Sequence, residues 1–318
     1  MYQAIRPSSS RFLTIRQQRY HVRSWGEYRP GMVPLVLVHG WMDVSASFQF
    51  VVDALQGERF VIAPDWRGFG LTRPQGAGPD PTDYGPVDHY VSPAEYLADL
   101  DFLLDALDAE LGRDSGAAID LVGHSMGGNV ALIYGGVRPQ RVRRLVNLEG
   151  FGLPATRPAQ AARRYASWID QLKALERGEL ALQQYDSLEG VAQRLIKTNP
   201  RLDPGKARWL AQHWAAQNES GRWQILGDAA HKVVSALLYR ADETQAIWRC
   251  ITAPTLSVEA SDDSLARWFK QGEYNLDEFH QRLTAVPDCR RARVEDAGHM
   301  LHHDQPAAVA RLIEDFLA

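Results

Sequence analysis

The sequence predicts an α/β fold: a mostly parallel central sheet with helices on both faces, interrupted by a long helical insertion. Three observations carry this expectation. Four largely apolar runs, at residues 35–38, 60–63, 119–122 and 145–148, suit strands buried on both faces. Helix-patterned segments alternate with them, as crossovers between parallel strands require. Between residues 151 and 240 the strand-like runs give way to helix formers, and the strand pattern then returns.

Taken in order, residues 12–16 and 20–25 read as paired strands joined by Gln17-Gln18-Arg19. Residues 76–85, rich in Gly, Pro and Asp, read as a surface loop. From 93 to 111, Tyr96, Leu97, Leu100, Leu103, Leu104 and Leu107 share one helical face, with Ser92 as N-cap and Pro93 at the first helical position. The insertion is broken at Gly178, Asn199-Pro200, Pro204-Gly205 and Gly221, and carries Trp168, Trp209, Trp214 and Trp223. Strands follow at 255–258 and 292–295, and a last helix at 306–317. The expected division is therefore one α/β core in two parts, residues 1–150 and 245–318, with residues 151–244 inserted between them.

Composition bounds the function. The chain has 318 residues, 45% hydrophobic and 23% charged, enough for a packed core. With 35 Lys+Arg against 39 Asp+Glu the net charge is -4, which argues against a nucleic-acid partner. Two cysteines, Cys250 and Cys289, make neither a disulfide framework nor a zinc cage and read as reduced thiols. No apolar run approaches the roughly 18–20 residues of a membrane span, and residues 1–10 lack the apolar stretch of a secretory signal. A cytoplasmic protein acting on a small molecule, without cofactor or metal, is the expectation.

The most informative stretch is Gly123-His124-Ser125-Met126-Gly127, directly after the apolar run at 119–122 and before a helix-compatible segment. A serine on a sharp strand-to-helix turn needs glycines two before and two after, where side chains would clash. The turn lifts its hydroxyl clear of the sheet, above a helix N-terminus that offers free N–H groups to developing negative charge. Three other motifs accompany it: His39-Gly40-Trp41 after the first buried strand, Asp65-Trp66-Arg67-Gly68-Phe69-Gly70 after the next, and Ala297-Gly298-His299 near the C-terminus.

These four motifs, in this order, resemble the α/β-hydrolase superfamily of the serine-nucleophile type with a helical cap. The resemblance covers nearly the whole chain outside the insertion. It implies Ser125 as nucleophile, His299 as general base, and the backbone N–H groups of Trp41 and Met126 as the oxyanion hole. It implies that His39 braces the oxyanion loop, that His124 packs behind the nucleophile, and that residues 151–244 cap the site. His302 and His303 are expected on a solvated loop or at the start of the last helix. For the acid that orients His299, the segment from Pro254 to Asp263 points to Asp263, although Ala260 stands where the family usually has glycine. Asp262 serves if the loop is shifted by one, and Glu149, after the run at 145–148, occupies the family's second position for this acid. Asp65 and Arg67 resemble a buried Asp–Arg turn, and Asp304 is expected to cap the final helix. Asp43 belongs either to the pocket rim or to a loop cap.

Relatives that displace halide or open epoxides place an aspartate at the elbow, where this chain has Ser125. The resemblance thus implies an acyl-enzyme and, first, hydrolysis of small or medium apolar carboxylic esters. A carbon–carbon bond hydrolase or perhydrolase using the same three residues is the alternative among enzymes. A non-catalytic ligand receptor on the same fold is the alternative outside them.

Overall fold

The computed structural model describes residues 2–270 and 272–318. Strands β1 (Ser8–Ile15) and β2 (Gln18–Trp25) open the chain, followed by β3 (Leu35–Val38), α1 (Gln49–Ala54), β4 (Val61–Pro64) and the two-residue β5 (Arg73–Pro74). Helix α2 (Ala94–Leu111), β6 (Ile119–His124), α3 (Met126–Val137) and β7 (Val142–Leu148) come next. Between β7 and β11 lie α4 (Ala161–Glu176), β8 (Gln184–Tyr185), α5 (Leu188–Thr198), α6 (Pro204–Trp214), β9 (Ala215–Gln217), β10 (Trp223–Ile225) and, across the expected end of the insertion, α7 (Ala241–Trp248). The chain then returns to β11 (Thr255–Ala260), α8 (Ser264–Trp268), α9 (Leu276–Leu283), β12 (Cys289–Val294), α10 (Leu301–Asp304) and α11 (Pro306–Leu317).

The main sheet runs β1-β2-β4-β3-β6-β7-β11-β12, with β5 paired beside β2. From β4 to β12 every pairing is parallel, and the β1–β2 hairpin adds the antiparallel edge. The apolar runs work as expected. In β3, Val36 and Val38 enter a core built with α2, α3 and α9, while Leu35 and Leu37 enter a second core with α1 and α11 on the opposite face. Helix α2 begins at Ala94, and Ser92 makes no side-chain cap to it.

Strand order reverses between β4-β3 and β6-β7, so the loops leaving the carboxyl ends of β3 and β6 part above the sheet. That crevice is where open α/β sheets bind their ligands. It brings together the segments after β3 and β6, which carry His39-Gly40-Trp41 and Ser125.

The inserted segment is not purely helical. Strands β8, β10 and β9 form a small antiparallel sheet that the sequence reading missed. They are two or three residues long and half-exposed, so they carry no apolar run to betray them. Helices α5 and α6 supply a third apolar cluster: Val191, Leu195, Ala207 and Leu210 pack against Val44, Ala46 and Phe50 from the segment after β3.

Candidate active site

Ser125 stands between β6 and α3 with φ 54° and ψ -116°, a backbone conformation costly for a non-glycine residue. The neighbouring glycines are needed because the chain is crowded. A Cβ on Gly123 would run into the Gly127 carbonyl, and one on Gly127 into the Val38 carbonyl. The Ser125 N–H donates to Leu148 O at 2.8 Å, tying the turn to β7, and Ser125 O accepts from the Asn129 N–H at 3.0 Å inside α3.

The Ser125 hydroxyl donates to His299 Nε2 at 2.9 Å. His299 lies on the loop between β12 and α10, and that loop is held from several sides. His124 Nε2–H donates to the His299 carbonyl at 2.8 Å, Gly298 N–H donates to Asp304 at 2.9 Å, and Trp268 packs edge-on against the imidazole at 4.4 Å between ring centroids.

On its other side, His299 Nδ1–H donates to Glu149 Oε2 at 3.2 Å. Glu149 follows β7 directly, with φ 55°, and its own N–H bonds Val258 O of β11. Its carboxylate is buried and accepts from Ala260 N–H and the Ser264 hydroxyl, each at 2.7 Å. Burial pushes Glu149 up to about 7, against those two hydrogen bonds, which favour the charged form. Burial likewise pushes His299 down to about 4, partly offset by the negative Asp43.

The first-choice acid, Asp263, does not face His299. Its carboxylate accepts from the Ala266 N–H at 2.9 Å and caps α8, because the chain turns into that short helix at once after β11. Asp262 is engaged by Arg201 of the insertion at 2.7 Å. Of the three candidates, Glu149 alone meets the imidazole. The sequence signal for it was an acid at the very end of an apolar strand.

Three other expectations are corrected, and the two options for Asp43 are resolved. His302 and His303 are buried, not solvated, because α10 tucks them beside Phe48 and Phe50. Asp304 does not cap α11; it binds Gly298 N–H and the Asn199 side chain. Asp65 and Arg67 do not pair with each other. Asp65 accepts from His21 at 2.7 Å and from the N–H groups of Ser45 and Leu71, whereas Arg67 forks onto Asp99 at 2.7 and 2.8 Å. Asp43 is buried and accepts from Val44 N–H at 2.9 Å, the loop-cap option rather than the rim.

The Gly40–Trp41 segment lies against the nucleophile: a Cβ on Gly40 would sit 3.1 Å from Ser125 Cβ. His39 Nδ1–H donates to Gly40 O at 2.7 Å, and Trp66 N–H donates to His39 Nε2 at 2.9 Å, so this loop is braced. Among the described residues, neither the Trp41 nor the Met126 N–H is given to a backbone acceptor elsewhere in the chain. Ser125 opens into a cavity of about 380 Å³. Its walls are aromatic and aliphatic, with Trp41, Phe151, Leu153, Trp248 and Trp268 prominent, and no Lys or Arg among the lining residues. The tryptophans anticipated from the insertion are elsewhere: Trp209, Trp214 and Trp223 pack on the α5–α6 cluster.

A family model described as "Alpha/beta hydrolase family" matches residues 35–312. The chain belongs to the alpha/beta hydrolase family. This hydrolase is 26% identical over 304 residues to a "Serine hydrolase-like protein" from Danio rerio, covering 92% of this chain and 86% of that protein. It is 40% identical over 124 residues to a 2-hydroxy-6-oxo-2,4-heptadienoate hydrolase from Pseudomonas putida, a match to 38% of each chain. Among solved structures it is similar to the thioesterase domain from the curacin biosynthetic pathway, with TM-score 0.77, 23% identity, and 97% of this chain and 99% of that chain covered. Among the described residues no helix is long and apolar enough to cross a membrane.

Proposed function

We propose that this hydrolase cleaves small or medium apolar carboxylic esters through an acyl-enzyme on Ser125. The carrying observation is the linear relay from Ser125 Oγ to His299 Nε2, and from His299 Nδ1 to Glu149, at a strained strand-to-helix turn. A serine hydroxyl becomes a nucleophile when a base removes its proton during attack. His299 is that base. Glu149 holds the ring in the tautomer that leaves Nε2 free, and stabilises the imidazolium formed in the transition state. The Met126 N–H, at the start of α3, and the Trp41 N–H receive the oxyanion. His299 then gives its proton to the leaving alcohol and afterwards activates the water that releases the acid. The inserted segment acts as the cap: Phe151, Leu153 and Tyr239 from its two ends face the cavity and exclude water.

Carbon–carbon bond hydrolysis is the second reading, favoured by the partial similarity to the Pseudomonas putida enzyme. The dienoate in that enzyme's name carries a carboxylate. The cavity offers Ser, Thr, Asn, Tyr and His side chains among its mostly apolar lining but no Lys or Arg to offset that full charge, which supports neutral esters instead.

The deciding experiment compares kcat/KM for neutral aryl esters of acetate to octanoate with that for a 2-hydroxy-6-oxo-dienoate. Esters should be the better substrates, and Ser125→Ala should cost about 10³-fold or more. Faster turnover of the dienoate would establish the second reading. No turnover of any substrate by folded protein would favour a receptor.

A further inference from the structure

Beside the His299 loop lies a buried polar cluster that ester hydrolysis does not use. Asp43 follows β3, His124 ends β6, and His302 belongs to α10; their exposures are 3%, 2% and 0%. A donor atom from each of the three lies within 4.8 Å of the other two.

The hydrogen-bond inventory of the cluster is incomplete. Asp43 Oδ1 accepts from Val44 N–H, the Ser47 hydroxyl and Trp214 Nε1–H, but Oδ2 has no partner. His124 gives its Nε2–H to the His299 carbonyl, which leaves Nδ1 as a bare lone pair, buried and without a donor. His302 has no partner at either nitrogen, and its Nε2 stands 3.8 Å from Asp43 Oδ2, too far for a hydrogen bond. Buried polar atoms are normally paired, and here several lone pairs share one small space. Something electropositive belongs between them.

We propose that Asp43, His124 and His302 form a buried site for one divalent transition-metal ion of the zinc class. Two neutral imidazoles and a carboxylate are a common donor set for such ions, with a fourth position left to water. The His124 Nε2–H bond to a backbone carbonyl is the arrangement that orients metal-binding histidines. Tetrahedral bonds of about 2.0–2.1 Å place ligand atoms about 3.3 Å apart, so the donor atoms close in on one another by up to about 1.5 Å. An ion there would fix His124, and through it the carbonyl of His299. The site adjoins Ser125 and His299 but uses none of Ser125, His299 and Glu149 as ligands, and the inference stands whether or not the ester reading does.

The test uses metal-stripped full-length protein, dialysed against Zn²⁺ for stoichiometry and titrated with Co²⁺ for its visible spectrum. The expected result is about one ion per chain with a four-coordinate Co²⁺ spectrum, in wild type and equally in His299→Gln. Asp43→Asn and His302→Asn should each weaken binding at least about tenfold, and Zn²⁺ should raise the Tm of wild type but not of these variants. If either cluster variant fails to fold, the comparison of wild type with His299→Gln decides. Loss of binding in His299→Gln would put the ion on the hydrolytic histidine and overturn the proposal. So would no uptake by wild type, which leaves the cluster to a water molecule, or undiminished binding in both cluster variants.

Discussion

Glu149 sits one residue beyond β7, and its carboxylate is the one that His299 Nδ1 meets, while Asp263 spends its oxygen on the N-terminus of α8. Sequence favoured Asp263 because an acid after β11 fits the family's first position. It could not show that the chain enters a helix there and uses that acid as a cap. Glu149→Gln should lower kcat about 10²–10⁴-fold, while steady-state kinetics of Asp263→Asn should stay within a few-fold of wild type. Loss of activity in Asp263→Asn alone would reverse the assignment. The pair also sets the pH response. Glu149 is pushed up to about 7 and His299 down to about 4, so kcat/KM should rise with pH and level off above about 7 as the pair sheds its last shared proton. In Glu149→Gln that limb should move to lower pH. The same carboxylate has a stability cost. Its folded pKa lies above the ordinary value, so the penalty is absent below about 4.5, grows as pH rises, and is complete above about 7, at about 3 kcal/mol. Chemical denaturation should find Glu149→Gln more stable than wild type at pH 8, with little difference at pH 4.

At the scale of elements, the turn from β6 into α3 was the most legible feature, because its constraints are local. A serine with φ 54° and two glycines pressed against carbonyls leave few other sequences possible. Gly127→Ala should therefore yield little soluble protein or a Tm lowered by many degrees, since the added methyl meets the Val38 backbone rather than a movable side chain. The buried strands were legible for the opposite reason: both faces are apolar, so the run itself is the signal. The contacts between loops were not. Asp304 joins Gly298 N–H of the His299 loop to Asn199 at the end of α5, a pairing 105 residues apart in sequence that no pattern announces. Arg67 found Asp99 on α2 rather than its neighbour Asp65, because α2 brings a buried carboxylate to it. Asp304→Ala should lower stability by about 1–3 kcal/mol, read by denaturant titration, and lower kcat through a loosened His299 loop. Unchanged kcat with lowered stability would show that the link is structural alone.

Across the whole molecule, three apolar clusters account for the architecture: one on each face of the sheet and one joining α5 and α6 to the segment after β3. The insertion thereby touches loops that carry site residues, through Trp214 to Asp43, Arg201 to Asp262 and Asn199 to Asp304. Sequence placed the Trp41 side chain at the pocket but announced neither these links nor Trp248 and Trp268 in the cavity wall. The central claim is that this scaffold makes Ser125 a nucleophile through His299 and Glu149. Intact-mass analysis after fluorophosphonate treatment tests it most directly. Wild type should gain one phosphonyl group on Ser125, Asp263→Asn should label at a similar rate, and Glu149→Gln should label far more slowly. No adduct on folded wild type, or equal labelling of Ser125→Ala, would contradict it.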